Sequence, residues 1–280
     1  MKILVLNPFA GDMRELERCR SVARPDTEIY CENIAAFYPL NYVTYMYYRH
    51  RCAEAVVERV MAAQEQGFDG VFISCCYDPG LMESREIVDI PVTAAFEAGV
   101  HYVNAIAQRY SVIATEPKTV HCYRELAQLY GTSAKLASVR HINLSARESY
   151  PESTPPDEVR SRVLEAARKC VEEDGAEAIL IGCTVQSCPV TLAGAGSSAS
   201  APVIDPVLIG VKATEFLVDL RRAGLPIISR YGTWQKPPAD ELARLRRFRE
   251  KAEPDFREAG VPHEGPPRKP ASASPADMDN

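Results

Sequence analysis

Short apolar runs punctuate the first two thirds of the chain, each closed by a polar or turn-forming residue: Lys2–Leu6 before Asn7-Pro8, Gly70–Ser74, Tyr110–Ala114 and Ala178–Gly182. Continuous rather than alternating apolar residues are what a strand buried on both faces of a parallel sheet requires. Between them, Arg49 to Gln66 and Asp157 to Glu173 carry apolar residues at helical spacing with charges in the gaps. Strands alternating with helices predict an α/β fold built on parallel sheets. From Lys236 onward Pro, Ser, Ala and charge take over. That segment predicts one helix around Pro238 to Ala252, then a disordered Pro-rich tail with no part in catalysis.

The pattern repeats within the chain. Gly67-Phe-Asp-Gly-Val-Phe-Ile-Ser-Cys75 aligns without gaps on Gly175-Ala-Glu-Ala-Ile-Leu-Ile-Gly-Cys183, 108 residues later, each preceded by an amphipathic helix. Pro91-Val92 and Gly99-Val100 return as Pro202-Val203 and Gly210-Val211, and Ile3 to Pro8 returns as Val112 to Pro117. Two copies of one β/α unit predict two similar lobes related by a pseudo-two-fold axis, each a short parallel sheet flanked by helices. The expected boundaries are 1–105 with about 213–234 for the first lobe, 106–212 for the second, and 235–280 for the helix and tail. Open α/β sheets bind ligands at the carboxyl ends of their strands, so the active site is expected in the cleft between the lobes.

Composition narrows the function. The 280 residues are 46% hydrophobic, enough for a substantial core, and carry 38 acidic against 32 basic side chains for a net charge of −6. Without a basic surplus to release counterions, neither nucleic acid nor an anionic membrane is an expected partner. No apolar run reaches membrane-spanning length and the N-terminal run is too short for a signal peptide, so a cytoplasmic protein is expected. Nine cysteines, odd in number and dispersed, read as reduced thiols.

Two of the nine stand out by position. The repeat puts Cys75 and Cys183 at equivalent strand ends, on opposite walls of the expected cleft. A single cysteine at a strand end is more commonly an inert small hydrophobe; a matched pair suits stereoinversion at a carbon acid. One thiolate removes a proton from one face, and the opposing thiol returns a proton to the other. A thiol pKa of about 8.5, lowered by a helix N-terminus, fits that task, and both cysteines precede helix starts or Gly-bearing turns, Asp78-Pro79-Gly80 and Thr184. Backbone amides there could cradle developing negative charge without an arginine clamp. Cys76 and Cys188 are left open, while Cys19, Cys31, Cys52, Cys122 and Cys170 are assigned to packing or surface. No CxxC spacing and no histidine beside the cysteine pairs means no metal is expected. Glu97, His101 and Asp205 are candidates for assisting groups or helix caps. Tyr38, Tyr42, Tyr45, Tyr47 and Tyr48 either cap the cleft, dock on another subunit or pack beneath a loop, and Gly194 to Ala201 is expected to be a mobile loop near the cleft.

Ser74-Cys-Cys-Tyr-Asp-Pro-Gly-Leu81, Arg85-Glu86, Asp89-Ile-Pro-Val92, Ile181-Gly-Cys-Thr184 and Ala201-Pro-Val-Ile-Asp205 resemble the aspartate/glutamate racemase superfamily. Within it, together with Lys2-Ile-Leu-Val-Leu-Asn-Pro8, they are most similar to the hydantoin/allantoin racemase family, over residues 1 to about 234. The resemblance implies cofactor-independent, two-base racemisation of a small hydantoin- or amino-acid-like molecule in a cleft between two lobes, in a homo-oligomer. It places Cys75 and Cys183 as the catalytic cysteines and the substrate against Asn7, Cys76, Tyr77, Asp78, Thr115 and Thr184. The chain departs from the family pattern with Phe9-Ala-Gly-Asp12 where Asn-Thr-Ser is usual, and with Ala114-Thr115 where two threonines are. Related scaffolds carry out maleate-type cis-trans isomerisation and malonate decarboxylation, and a catalytically retired binding protein is the alternative of another class.

Overall fold

A computed structural model describes residues 1–8, 14–34, 44–197, 201–245 and 247. Compactness divides the chain into a unit of residues 1–235 and a second of 236–280. In the second, residues 239–245 and 247 are helical, so the expected helix starts one residue after Pro238; residues 246 and 248–280, with the tail, lie outside the described residues.

The larger unit runs through one order of elements twice. The first pass is β1 (Lys2–Asn7), α1 (Glu15–Val22), β2 (Glu28–Asn33), α2 (Met46–Glu65), β3 (Gly70–Ile73), α3 (Leu81–Ile87), β4 (Val92–Ala94) and α4 (Ala95–Ile106). The second is β5 (Tyr110–Ala114), α5 (Val120–Leu129), β6 (Leu136–His141), α6 (Pro156–Glu172), β7 (Ala178–Ile181), α7 (Thr184–Leu192), β8 (Val203–Ile204) and α8 (Pro206–Arg222). Each pass forms a four-stranded sheet, in the orders β2-β1-β3-β4 and β6-β5-β7-β8, and every strand pair is parallel. The α/β class, the two similar lobes and the flanking helices are as the sequence predicts.

The four apolar runs are the two central strands of each sheet. Ile3 to Leu6, Val71 to Ile73, Val112 to Ala114 and Ala178 to Ile181 are wholly buried. The edge strands β2 and β6 are more polar: in β2 only Ile29 is buried, and in β6 only Val139.

Between the sheets, α4 and α8 pack against each other, and each serves the sheet of the other repeat. α4 lies on β7, where a Cβ added to Gly99 would come within 2.6 Å of Leu180 Cδ1. α8 lies on β3 and β4, where a Cβ at Gly210 would stand 2.0 Å from the Phe72 ring and Thr214 Oγ1 meets Thr93 Oγ1 at 2.5 Å. Glycine at both positions permits the close approach. Phe72, Phe96, Val100, Leu180, Val207 and Val211 consequently belong to one continuous core spanning both repeats.

Candidate active site

Both cysteine-bearing strands end at the same kind of junction. After β3 the chain passes Ser74, Cys75 and Cys76 into a tight turn, with Asp78 at φ +47° and Gly80 at φ +72° before α3. Glycine is needed at 80, where the left-handed backbone also lies against α2 and a Cβ would come 2.8 Å from the Ala53 carbonyl oxygen. After β7, Gly182 leads to Cys183, whose extended backbone caps the N-terminus of α7. The Cys75 and Cys183 side chains are buried near each other, each residue 8% exposed, and a charge on Cys183 is felt at Cys75.

Their surroundings differ. Burial pushes both thiols above their ordinary range. At Cys183 the first-turn amides of Gln186 and Val185 and the Arg18 guanidinium pull in the opposite direction. At Cys75 only the Tyr77 amide does so, while Cys52, Asp78 and Cys183 add negative potential. Cys183 is therefore the more readily ionised of the pair.

The structure brings the other expected residues to these strand ends, but several have partners within the protein. Asn7, ending β1, donates its amide to the Glu15 carboxylate. Cys76 turns its thiol toward the Ile181 carbonyl of β7, at 3.8 Å, so it packs across the interface of the repeats. Tyr77 stacks on Tyr123 with ring centroids 5.8 Å apart, and its hydroxyl is near Thr115. The Asp78 carboxylate accepts from the amides of Phe96 (2.9 Å) and Glu97 (2.8 Å) at the start of α4 and from the Tyr130 hydroxyl (2.8 Å); burial pushes it up to about 7. Thr115, just beyond β5, and Thr184, first residue of α7, are nearly buried. The Thr184 hydroxyl faces the Ser74 carbonyl oxygen at 3.4 Å.

Among the assisting candidates, Asp205 caps α8, accepting from the Val207 amide at 2.9 Å. Glu97 pairs with Arg85 and His101 lies beside Tyr130, so neither is shared with the thiols. Cys52, assigned to packing by the sequence, is close enough to Cys75 to influence its ionisation. Tyr45 and Tyr47 are exposed, while Tyr38, Tyr42 and residues 198–200 of the expected loop lie outside the described residues. A cavity of about 400 Å³ borders Tyr77, lined also by Met46, Arg49, Pro79, Cys122 and Leu126. All nine cysteines are free thiols, and among the described residues no three His, Cys, Asp or Glu side chains are grouped as metal ligands. No helix among them is long and apolar enough to cross a membrane.

Sequence reasoning missed Glu15 and Arg18 on α1. Both are 2% exposed. Glu15 accepts from Asn7 and from Ser74, the neighbour of Cys75. Arg18 donates to the Thr184 carbonyl beside Cys183, to Ser187 and to Asp205, each at 2.9 Å. Glu15, Arg18 and Cys19 fall at i, i+3 and i+4 on one helix face, a spacing that does not by itself say that the face is buried.

Comparison with known proteins agrees with this geometry. A model of the Asp/Glu/hydantoin racemase family matches residues 3–214. The hydantoin racemase of Pseudomonas sp. (strain NS671) is 30% identical over 230 residues, covering 79% of this chain and 87% of that protein. Allantoin racemase from Klebsiella pneumoniae superposes with a TM-score of 0.71 at 28% identity, covering 85% of this chain and 94% of that one. Allantoin racemase from Pseudomonas fluorescens superposes with a TM-score of 0.73 at 28% identity, covering 85% and 97%.

Proposed function

The chain belongs to the Asp/Glu/hydantoin racemase family, and from that premise we propose that it inverts an acidic carbon of a small hydantoin- or amino-acid-like substrate with Cys75 and Cys183 as opposed bases. That it is an isomerase of the racemase type follows from the family; the bases and the substrate class are our reading. The observation that carries it is the placement of two thiols at repeat-equivalent ends of β3 and β7, buried within electrostatic reach of each other.

In a hydantoin, the C5–H bond lies next to a carbonyl, so loss of its proton leaves an enolate that flattens the carbon. In the direction that begins with Cys183 ionised, its sulfur takes the C5 proton and becomes a thiol while the electron pair moves onto the carbonyl oxygen. Cys75–SH then delivers its own proton to the opposite face and is left as the thiolate, so charge and protons balance. The reverse reaction begins from that state. Developing oxygen charge would be met by amides of the α7 first turn. The ring substituent would extend past Tyr77 into the cavity it borders. The proposal includes a cytoplasmic homo-oligomer acting on a small molecule without a cofactor.

Incubation of single hydantoin enantiomers in deuterium oxide tests it. The expected result is inversion with solvent deuterium at C5, abolished in Cys75→Ser and in Cys183→Ser with an unchanged circular dichroism spectrum. Full activity in both variants refutes the two-base reading, and in a parallel incubation with maleate a covalent cysteine adduct without carbon-bound exchange would instead indicate cis-trans isomerisation.

A further inference from the structure

We propose that Glu15 and Arg18, one turn apart on α1, are positioning residues that tie both cysteine-bearing strand ends to a single helix and set a fixed positive charge behind Cys183 rather than Cys75. The inference rests on the two-cysteine reading and adds to it a source of asymmetry. Glu15 gathers Asn7 of β1 and Ser74 beside Cys75. Arg18 reaches into the other repeat, where one nitrogen bridges Ser187 and Asp205 and the other holds the Thr184 carbonyl, each at 2.9 Å. Ser187 donates in turn to Asp205 at 2.8 Å, which fixes the carboxylate facing the guanidinium.

Stability is a poor explanation for this cluster. An ion pair 2–3% exposed loses most of its Coulombic gain to desolvation, and Arg18 keeps its Nε–H buried without a partner, a further cost. What the cluster does supply is geometry. A planar fork holding two α7 groups and the α8 cap at once leaves the first turn of α7, and hence Cys183, little freedom. The charged and titratable groups around Cys183 among the described residues are Arg18 from α1, Cys75, Cys76 and Tyr77 from the β3–α3 connection and Tyr123 from α5; Glu15, Asp205, Cys188 and Cys19 flank Arg18 itself. Arg18 is the only cation in that set, so it biases the pair toward a Cys183 thiolate facing a Cys75 thiol.

Three full-length variants test this: Arg18→Lys, Glu15→Gln and the charge-balanced Arg18→Met/Asp205→Asn. Iodoacetamide labelling of Cys183 and Cys75, followed by mass spectrometry across pH, reads the charge placement without needing turnover. The double variant should label Cys183 about tenfold more slowly near neutral pH, the effect of one unit in thiol ionisation, with Cys75 unchanged. Arg18→Lys should recover that labelling, yet lower kcat about tenfold or more at similar KM, because an ammonium cannot hold three acceptors in one plane. Glu15→Gln should lower kcat and leave Cys183 labelling alone. A folded double variant with unchanged labelling, or a folded Arg18→Lys enzyme with unchanged kcat, overturns the proposal. If wild-type enzyme exchanges no hydantoin proton, the racemase reading of the site fails separately, and the labelling arm still decides where the charge acts.

Discussion

The crossing of α4 and α8 between the repeats makes an unequal pair of predictions from equivalent glycines. At Gly210 an added methyl would stand 2.0 Å from Phe72 Cε2 and 2.3 Å from Cζ, far inside the roughly 3.5–4 Å of carbon–carbon contact. Phe72 is wholly buried in β3, and its flat ring cannot yield by a single torsion. Overpacking of this kind costs about 1–3 kcal/mol, against a gain of about 1 kcal/mol from replacing glycine by alanine in a helix. Taking the upper end of the clash, Gly210→Ala should destabilise by about 2 kcal/mol. At Gly99 the nearest atom is the terminal Cδ1 of Leu180, 2.6 Å away, which a rotamer change can withdraw; there clash and helix gain should cancel to within about 1 kcal/mol. Urea unfolding followed by far-ultraviolet circular dichroism, at one protein concentration, measures both. Gly210→Ala should also lower kcat, since Phe72 lies three residues before Cys75, and Phe72→Leu in the same chain should restore part of the stability. Equal costs at the two glycines, or no recovery with Phe72→Leu, would refute the packing argument.

Other outcomes follow from the same coordinates. Because burial raises Cys183 and raises Cys75 further, kcat/KM should climb with pH through and above the ordinary thiol range as Cys183 ionises, then fall as Cys75 loses its proton; a profile flat from neutral to alkaline pH contradicts this. Tyr130→Phe removes the hydroxyl that donates to Asp78 at 2.8 Å and should cost about 1–3 kcal/mol, seen as a lower Tm; an unchanged Tm means the α4 cap does not need it. Arg230 closes the end of α3 by donating to the carbonyls of Arg85 and Glu86 at 3.0 and 2.9 Å, so Arg230→Ala should lower the urea midpoint by the equivalent of about 1–3 kcal/mol.

The sequence displays what is symmetric and apolar. Ile3–Leu6 and Ala178–Ile181 read as central strands because burial on both faces forces continuous apolar side chains, and the match of Cys75 to Cys183 follows from the repeat. Edge strands are harder: Glu28-Ile-Tyr-Cys-Glu-Asn33 has only Ile29 fully buried, so its pattern is that of an exposed segment. Gly99 and Gly210 were visible as equivalents, but periodicity says only that a helix packs closely, not on which sheet. Glu15 and Arg18 were hidden for a different reason. Charges in an amphipathic helix normally mark its solvent face, and here they face inward because their partners, Ser74 and Asp205, are distant in the chain. By resemblance Asp78 stands against the substrate; that its carboxylate accepts from the amides of α4 is legible only once the start of α4 is known.

The interchange of α4 and α8 also bears on how the chain can be divided. A cut in the connection after Ile106 would leave the first fragment without the α8 cover of its sheet and the second without the α4 cover of β7. Expressed singly, each piece would present a bare apolar sheet face and aggregate; expressed together, each would supply the missing layer of the other. The two repeats are thus obligate complements, bound as a heterodimer would be, with the peptide connection serving to keep their local concentration high.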